Sequence, residues 1–159
     1  MARKGQFQRA VAATQVVAHA FRQGIQALEE RDKMLIEDKQ CATGSLALDK
    51  TLQEAELFPN DNRWDYGISL SAPRNTERVL WLEPHHAGSG QTEKVIKKLQ
   101  WLQTWLRAHA PELEKLRGDF VFVWLVTSKE NPNDRQRRTQ LAKRHGLRRV
   151  SGNIRLSEL

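Results

Sequence analysis

Asn62-Arg63-Trp64-Asp65-Tyr66-Gly67-Ile68-Ser69-Leu70 and, after a short polar linker, Glu77-Arg78-Val79-Leu80-Trp81-Leu82-Glu83-Pro84-His85-His86-Ala87 decide the fold of this chain. Both runs are rich in the β-branched and aromatic residues that favour strands. The linker holds Pro73 and Asn75, so the pair reads as a hairpin. Each run carries an acid, Asp65 in the first and Glu83 in the second. Alternation puts Val79, Trp81 and Glu83 on one face of their strand and Leu80, Leu82 and Pro84 on the other. In the first strand Asp65 shares a face with Gly67 and Ser69, opposite Trp64, Tyr66, Ile68 and Leu70, and these small residues predict open space beside its carboxylate.

An acid inside an apolar strand is costly unless it is paired or binds a cation. The plain expectation is that the two acids sit near solvent at strand ends or pair with Arg63, Arg74 or Arg78. The sharper one is that they form a site. The helix expected over 93–109 bears on the choice, because its apolar stripe Val95, Leu99, Leu102 and Leu106 takes Lys98 into its arc. That lysine either runs outward along Trp101 or reaches over the sheet toward Glu83.

The chain of 159 residues is expected to fold as a single domain: a long amino-terminal helix over 5–40, a core over 45–128 and a basic helix-strand tail over 132–159. Cys41 is the only cysteine, which excludes an intramolecular disulfide or cysteine-based zinc site and points to a cytoplasmic protein. No apolar run approaches the roughly 20 residues that span a bilayer, so no membrane association is expected. A net charge of +7 and a pI near 9.9 favour an anionic polymer as partner.

Phe7, Val11, Thr14, Ala18, Phe21, Ile25 and Leu28 recur in steps of four and three, which predicts the long first helix, with Glu29 near that face as a possible additional carboxylate. Ser45 is a plausible cap for a short helix through Leu46, Leu48, Leu52 and Leu57, with a strand over 45–48 as the competing reading. Adjacent histidines on a strand point to opposite faces, which leaves His85 on the Glu83 side. Gly88-Ser89-Gly90 resembles an anion-binding loop only in its glycines, since no Lys-Ser/Thr follows; a flexible connection capped by Thr92 or Ser89 is expected. Gly118-Asp119 leads into Phe120-Val121-Phe122-Val123-Trp124-Leu125-Val126, a continuous apolar run that reads as a central strand, parallel to the hairpin's second strand across a helical crossover. Beyond it Arg135, Arg137, Arg138, Lys143, Arg144, Arg148 and Arg149 follow Asp134 with no acid among them, and this predicts a phosphate-contacting surface.

This order of helix, hairpin with an acid in each strand, helix and apolar strand resembles the PD-(D/E)XK nuclease superfamily over roughly residues 10–127. Asp65 matches the Asp that opens the second core strand of that superfamily, and Glu83 matches the acid of its (D/E)XK tripeptide. No proline precedes Asp65, and His85 stands at the lysine position. The superfamily lets that lysine migrate to the neighbouring helix, a role open to Lys98, and its first core strand would have to be 45–48. The resemblance implies an α/β fold with a restriction-endonuclease-like core, a small mixed β-sheet whose antiparallel hairpin is flanked by helices. It also implies a metal-dependent nuclease acting on DNA or RNA.

In that reading Asp65 and Glu83 hold Mg2+ or Mn2+, and His85 or Lys98 assists. Chemistry makes the set sensible by itself, because carboxylates suit these hard ions and phosphodiester cleavage needs charge neutralisation and an activated water. Two alternatives remain. One is a non-catalytic nucleic-acid-binding or protein-assembly module on the same fold. The other is a protein-interaction domain, binding a partner protein or forming a homodimer through a Trp101 and Trp105 surface.

Overall fold

A computed structural model describes residues 4–116 and 120–159. The chain begins with α1 (Gln6–Ala12) and a 3-10 turn, then β1 (Arg22–Gln23), α2 (Glu30–Lys33) and β2 (Ile36–Glu37). Next come β3 (Ala42–Ala47), α3 (Leu48–Glu54), β4 (Tyr66–Ala72), β5 (Thr76–His85) and α4 (Gln91–His109). The last part is α5 (Pro111–Glu114), β6 (Phe120–Val126), α6 (Pro132–Arg144), β7 (Leu147–Ser151) and β8 (Ile154–Arg155). Gly118 and Asp119, expected to lead into β6, lie outside the described residues.

The fold is mixed α/β, built on a six-stranded sheet of order β1-β3-β4-β5-β6-β7, with β2 and β8 forming a small parallel pair. The expected hairpin is β4–β5, paired antiparallel with Gly67 opposite Trp81. The expected crossover also forms: α4 carries the chain from β5 to β6, and those strands run parallel with Glu83 beside Trp124. Alternation along β5 splits two cores. Val79 and Trp81 pack with α1, α4 and α5 on one side, and Leu80 and Leu82 pack with β2, β8 and the carboxyl terminus on the other. Glu83 falls on the α4 side.

The long helix over 5–40 does not form. α1 ends at Ala12, where the Thr14 hydroxyl donates to the Ala10 carbonyl at 2.9 Å, a local bond that competes with helix continuation. The helical spacing from Phe7 to Leu28 has another origin. Phe7, Val11 and Val17 face the α4-side core while Ile25 and Leu28 face the opposite one, so the chain wraps around the sheet edge at β1. The stretch over 45–57 is divided at Leu48, strand before and helix after, so the strand reading was right for Ser45 and the helical one for Leu52. β3 thereby supplies the strand next to β4. The tail over 147–156 is two strands broken at Gly152, whose φ is +79°.

The space expected from Gly67 is filled, and the openings beside Asp65 lie elsewhere. A Cβ on Gly67 would stand 2.8 Å from the Trp81 ring, so the glycine makes room for an indole and not for a ligand. Trp64 also departs from strict alternation, because β4 begins only at Tyr66 and Trp64 turns into the α4-side core. Among the described residues no helix is long and apolar enough to cross a membrane.

Candidate functional site

Glu83 is completely buried at 0 % exposure, at the end of β5 beside the β6 strand. Its Oε1 accepts the backbone N–H of Asp65 at 3.0 Å. Its Oε2 takes a short contact from the Lys98 ammonium on α4. Lys98 Nζ also lies 3.5 Å from Asp65 Oδ1, with the lysine side chain only 12 % exposed. The two acids read from the hairpin and the lysine read from the helical arc therefore meet. Two of the three arginines weighed as partners go elsewhere: Arg63 pairs with Asp49 at 2.7 Å and Arg78 bonds the Leu159 carbonyl.

Asp65 is pinned from both sides, since its carbonyl accepts the N–H of Leu48 at 2.8 Å, at the start of α3. Burial first, and then the Glu83 charge, push its carboxyl up to about 8 against the pull of Lys98. Burial works against the Lys98 ammonium, but Glu83 and Asp65 outweigh it and raise its pKa above the ordinary lysine value. Two carboxyl groups thus share one ammonium, and below about pH 8 the proton held by Asp65 offsets the second negative charge.

His85 Nδ1 stands 3.7 Å from Glu83 Oε2, and its Nε2 is 2.6 Å from the Gln91 amide oxygen at the start of α4. His86 does not point to the far face. β5 ends at His85, and the two imidazoles stack with centroids 5.0 Å apart. Glu29 is not on a helical face but precedes α2, paired with Arg31 at 3.2 Å in solvent. Two clefts meet at Asp65. One, of about 180 Å³, runs past Glu29, Asp32 and Lys50; the other, of about 360 Å³, runs past Arg31, His85 and His86.

Asp32 lies on both clefts and was not singled out from sequence. It is buried and accepts the Tyr66 hydroxyl at 2.6 Å, and that hydroxyl accepts the Glu29 N–H at 3.3 Å. Burial and the Asp32 bond raise the Tyr66 pKa. Within Arg31-Asp32-Lys33 the acid reads as an ordinary solvated charge, so periodicity offered no signal for it.

The basic tail is less uniform than its sequence. Glu130 pairs with Arg149 at 2.7 Å, Arg138 at 3.0 Å and Arg135 at 3.8 Å, while Asp134 pairs with Arg137 at 3.3 Å. Arg149 is 2 % exposed and lies over the Trp124 ring, 4.4 Å from its centroid, which removes it from any phosphate-contacting surface. Glu130, just before the Asn131 cap, supplies the acid that the run was expected to lack. Lys143, Arg144 and Arg148 stay exposed, with no ion pair among the described residues. Trp105 is buried and Trp101 bonds Asp61 at 2.9 Å, so the pair is not an open aromatic surface.

Among the described residues no three or more His, Cys, Asp and Glu side chains form a metal-binding group. Asp65 and Glu83 offer two hard oxygen donors to one point, the point that Lys98 Nζ fills. A divalent cation at that point would have to displace the Asp65 proton and the Lys98 ammonium. Comparison with protein-family models, curated proteins and solved structures finds no significant match in any of the three.

Proposed function

We propose that this chain is a metal-dependent nuclease with a restriction-endonuclease-like core, hydrolysing phosphodiester bonds in DNA or RNA. The observation that carries the reading is the convergence of Asp65, just before β4, and Glu83, on β5, on Lys98 from the following helix, with Asp65 opening onto two clefts at the sheet end. The order β3-β4-β5, α4, β6 supports it, with an acid before the second strand, an acid on the third and the lysine on the helix.

Bound at Asp65 and Glu83, magnesium or manganese would supply positive charge against the phosphate and acidify water. Glu83 is held for that role by the Asp65 N–H. Lys98, kept protonated by its neighbours, is placed to orient water or to neutralise charge developing on the phosphate. His85, held by Gln91, stands at the same end of the cleft as a proton acceptor or further ligand. A cytoplasmic location accords with the single cysteine.

The second reading is a non-catalytic nucleic-acid-binding or protein-assembly module. It is favoured by Lys98 itself, whose contacts with both acids give them a structural partner without any metal. The two readings separate in one experiment. Plasmid, single-stranded DNA and RNA are incubated with magnesium and then manganese, comparing wild type with Glu83→Gln, which keeps an acceptor for the Asp65 N–H. Metal-dependent cutting that is lost in a folded Glu83→Gln supports the nuclease. Salt-dependent binding without cutting, unchanged in the variant, moves the assignment to the binding module.

A further inference from the structure

The amino terminus of α4 lacks the cap that the sequence leads one to expect. The N-cap residue is Gly90, at φ +75°, and no side chain accepts from the first turn. Gln91 N–H donates to the Gly88 carbonyl and Lys94 N–H to the Gly90 carbonyl. The N–H groups of Thr92 and Glu93 between them have no acceptor among the described residues. Unmade donors at the start of a 19-residue helix favour an anion.

A second observation at the same place is independent of the helix. Thr92 is 3 % exposed, and its Oγ1 has no hydrogen-bond partner among the described residues. A buried hydroxyl left unpaired costs stability, and a ligand oxygen at this helix start would satisfy it. Thr92 lines a cleft of about 520 Å³ between α4 and α6, together with Ser89, Gly90, Glu93, Arg137 and Arg138. Arg138 is held by Glu130 and the Ala87 carbonyl. Arg137 is 76 % exposed and tied only to Asp134 by a surface pair, leaving its guanidinium free to turn toward a ligand.

We propose that this cleft is a phosphate subsite for the nucleic-acid strand, in which the Thr92 hydroxyl, the Thr92 and Glu93 N–H groups and Arg137 hold one backbone phosphate. The segment 85–90 joins it to the catalytic cluster, since His85 contacts Gln91 in the first turn of the same helix. His85 and His86, on the wall of a cleft at Asp65, lie just before the helix start in the chain. Glu93 competes with the ligand, as an exposed carboxylate in the first turn of the helix and on the cleft wall. The subsite rests on a nucleic-acid substrate but not on catalysis.

The test measures a short oligonucleotide by fluorescence anisotropy without divalent ions, using Thr92→Val, Arg137→Ala and Glu93→Gln. Amide NMR shifts of Thr92 and Glu93 are followed in parallel during titration with inorganic phosphate against chloride. Losing a hydrogen bond to a charged group is expected to weaken oligonucleotide binding by about tenfold in each of the first two variants. Glu93→Gln should tighten it. Thr92→Val should leave thermal stability equal or higher, because it removes an unpaired buried hydroxyl, and a structural role for Thr92 would not give that pairing of effects. Unchanged oligonucleotide affinity in Thr92→Val and Arg137→Ala overturns the subsite even if Glu83→Gln abolishes cleavage. Amide shifts with inorganic phosphate alone, and no change with the oligonucleotide, overturn it too, since the site then takes a free anion. Weakened binding in a protein that never cuts keeps the subsite and removes the nuclease.

Discussion

The N–H of Asp65 donates to Glu83 Oε1 at 3.0 Å, so the last turn of chain before β4 is fixed by the side chain that would share its ligand. Glu83 is therefore a structural and a chemical residue at once, and its substitutions should separate the two roles. Glu83→Ala strips the N–H of its acceptor and leaves Lys98 half-paired in a buried setting, which is expected to cost about 3–5 kcal/mol. Glu83→Gln keeps an acceptor and should cost clearly less, while removing the charge a cation needs. Urea unfolding of both variants checks the order; equal losses would mean that Oε1 is not what holds Asp65.

The Asp65 carboxyl gives a pH signature. Its pKa rises from 3.8 to about 8 on folding, through burial and then Glu83. The folded state holds that proton more tightly than the unfolded chain, so the contribution is full below about pH 4 and is lost as pH rises through 8. Asp65→Asn imitates the protonated acid. Without divalent ions it should be close to neutral at pH 5 and should raise Tm at pH 9 by several degrees, since about 1 kcal/mol moves Tm by roughly 2–4 °C at this size. Thermal scans at the two pH values decide it, and a variant equally destabilised at both would contradict the assignment.

Glu130 titrates in the opposite sense. Burial alone would raise its pKa, but bonds from Arg149 and Arg138 outweigh that and hold it below the usual carboxylate value. Its contribution is present above the unfolded value of 4.5 and lost as pH falls through the lower folded one. Glu130→Ala should cost about 3–5 kcal/mol at pH 7, because it removes the only carboxylate paired with the buried Arg149 among the described residues. The gap to wild type should narrow toward pH 3, as measured by urea unfolding at the two pH values.

Gly67 tests the packing under the site. Gly→Ala in extended backbone gains about 0.4–1 kcal/mol through the unfolded chain. Here the new methyl stands 2.8 Å from a fully buried indole, and overpacking costs about 1–3 kcal/mol. The clash should win. Combining Gly67→Ala with Trp81→Phe should cost less than the sum of the single variants, a coupling measurable in a double-mutant cycle.

The hairpin, the crossover and the meeting of Asp65, Glu83 and Lys98 were legible because alternation along β5 and the 100° step along α4 each fix a direction locally. The region before β3 was not. Steps of four and three at Phe7, Val11, Ile25 and Leu28 satisfy a helix and equally a chain that turns around a sheet edge, and only tertiary contacts distinguish them. Asp32 escaped for a related reason: its burial comes from Tyr66, on a strand 34 residues away. The basic tail misled because Glu130 sits outside the helix whose arginines it neutralises.

Arg148 and Arg149 are neighbours on β7 with opposite fates, and this splits charge that binds from charge that builds. Arg149 is enclosed by Glu130, Thr139 and the Trp124 ring, so Arg149→Ala should cost about 1.5–3 kcal/mol by removing a charged hydrogen bond from Glu130, which Arg138 still holds. Arg144 and Arg148 are exposed and unpaired among the described residues, so their alanine variants should change stability by no more than about 0.5 kcal/mol. If they contact phosphates, each removal lowers the slope of log affinity against log salt by about 1. A salt titration of oligonucleotide binding reads this directly. A slope unchanged in the double variant would assign phosphate binding to the clefts at Asp65, with Arg31 and Lys50, and at the start of α4, with Arg137.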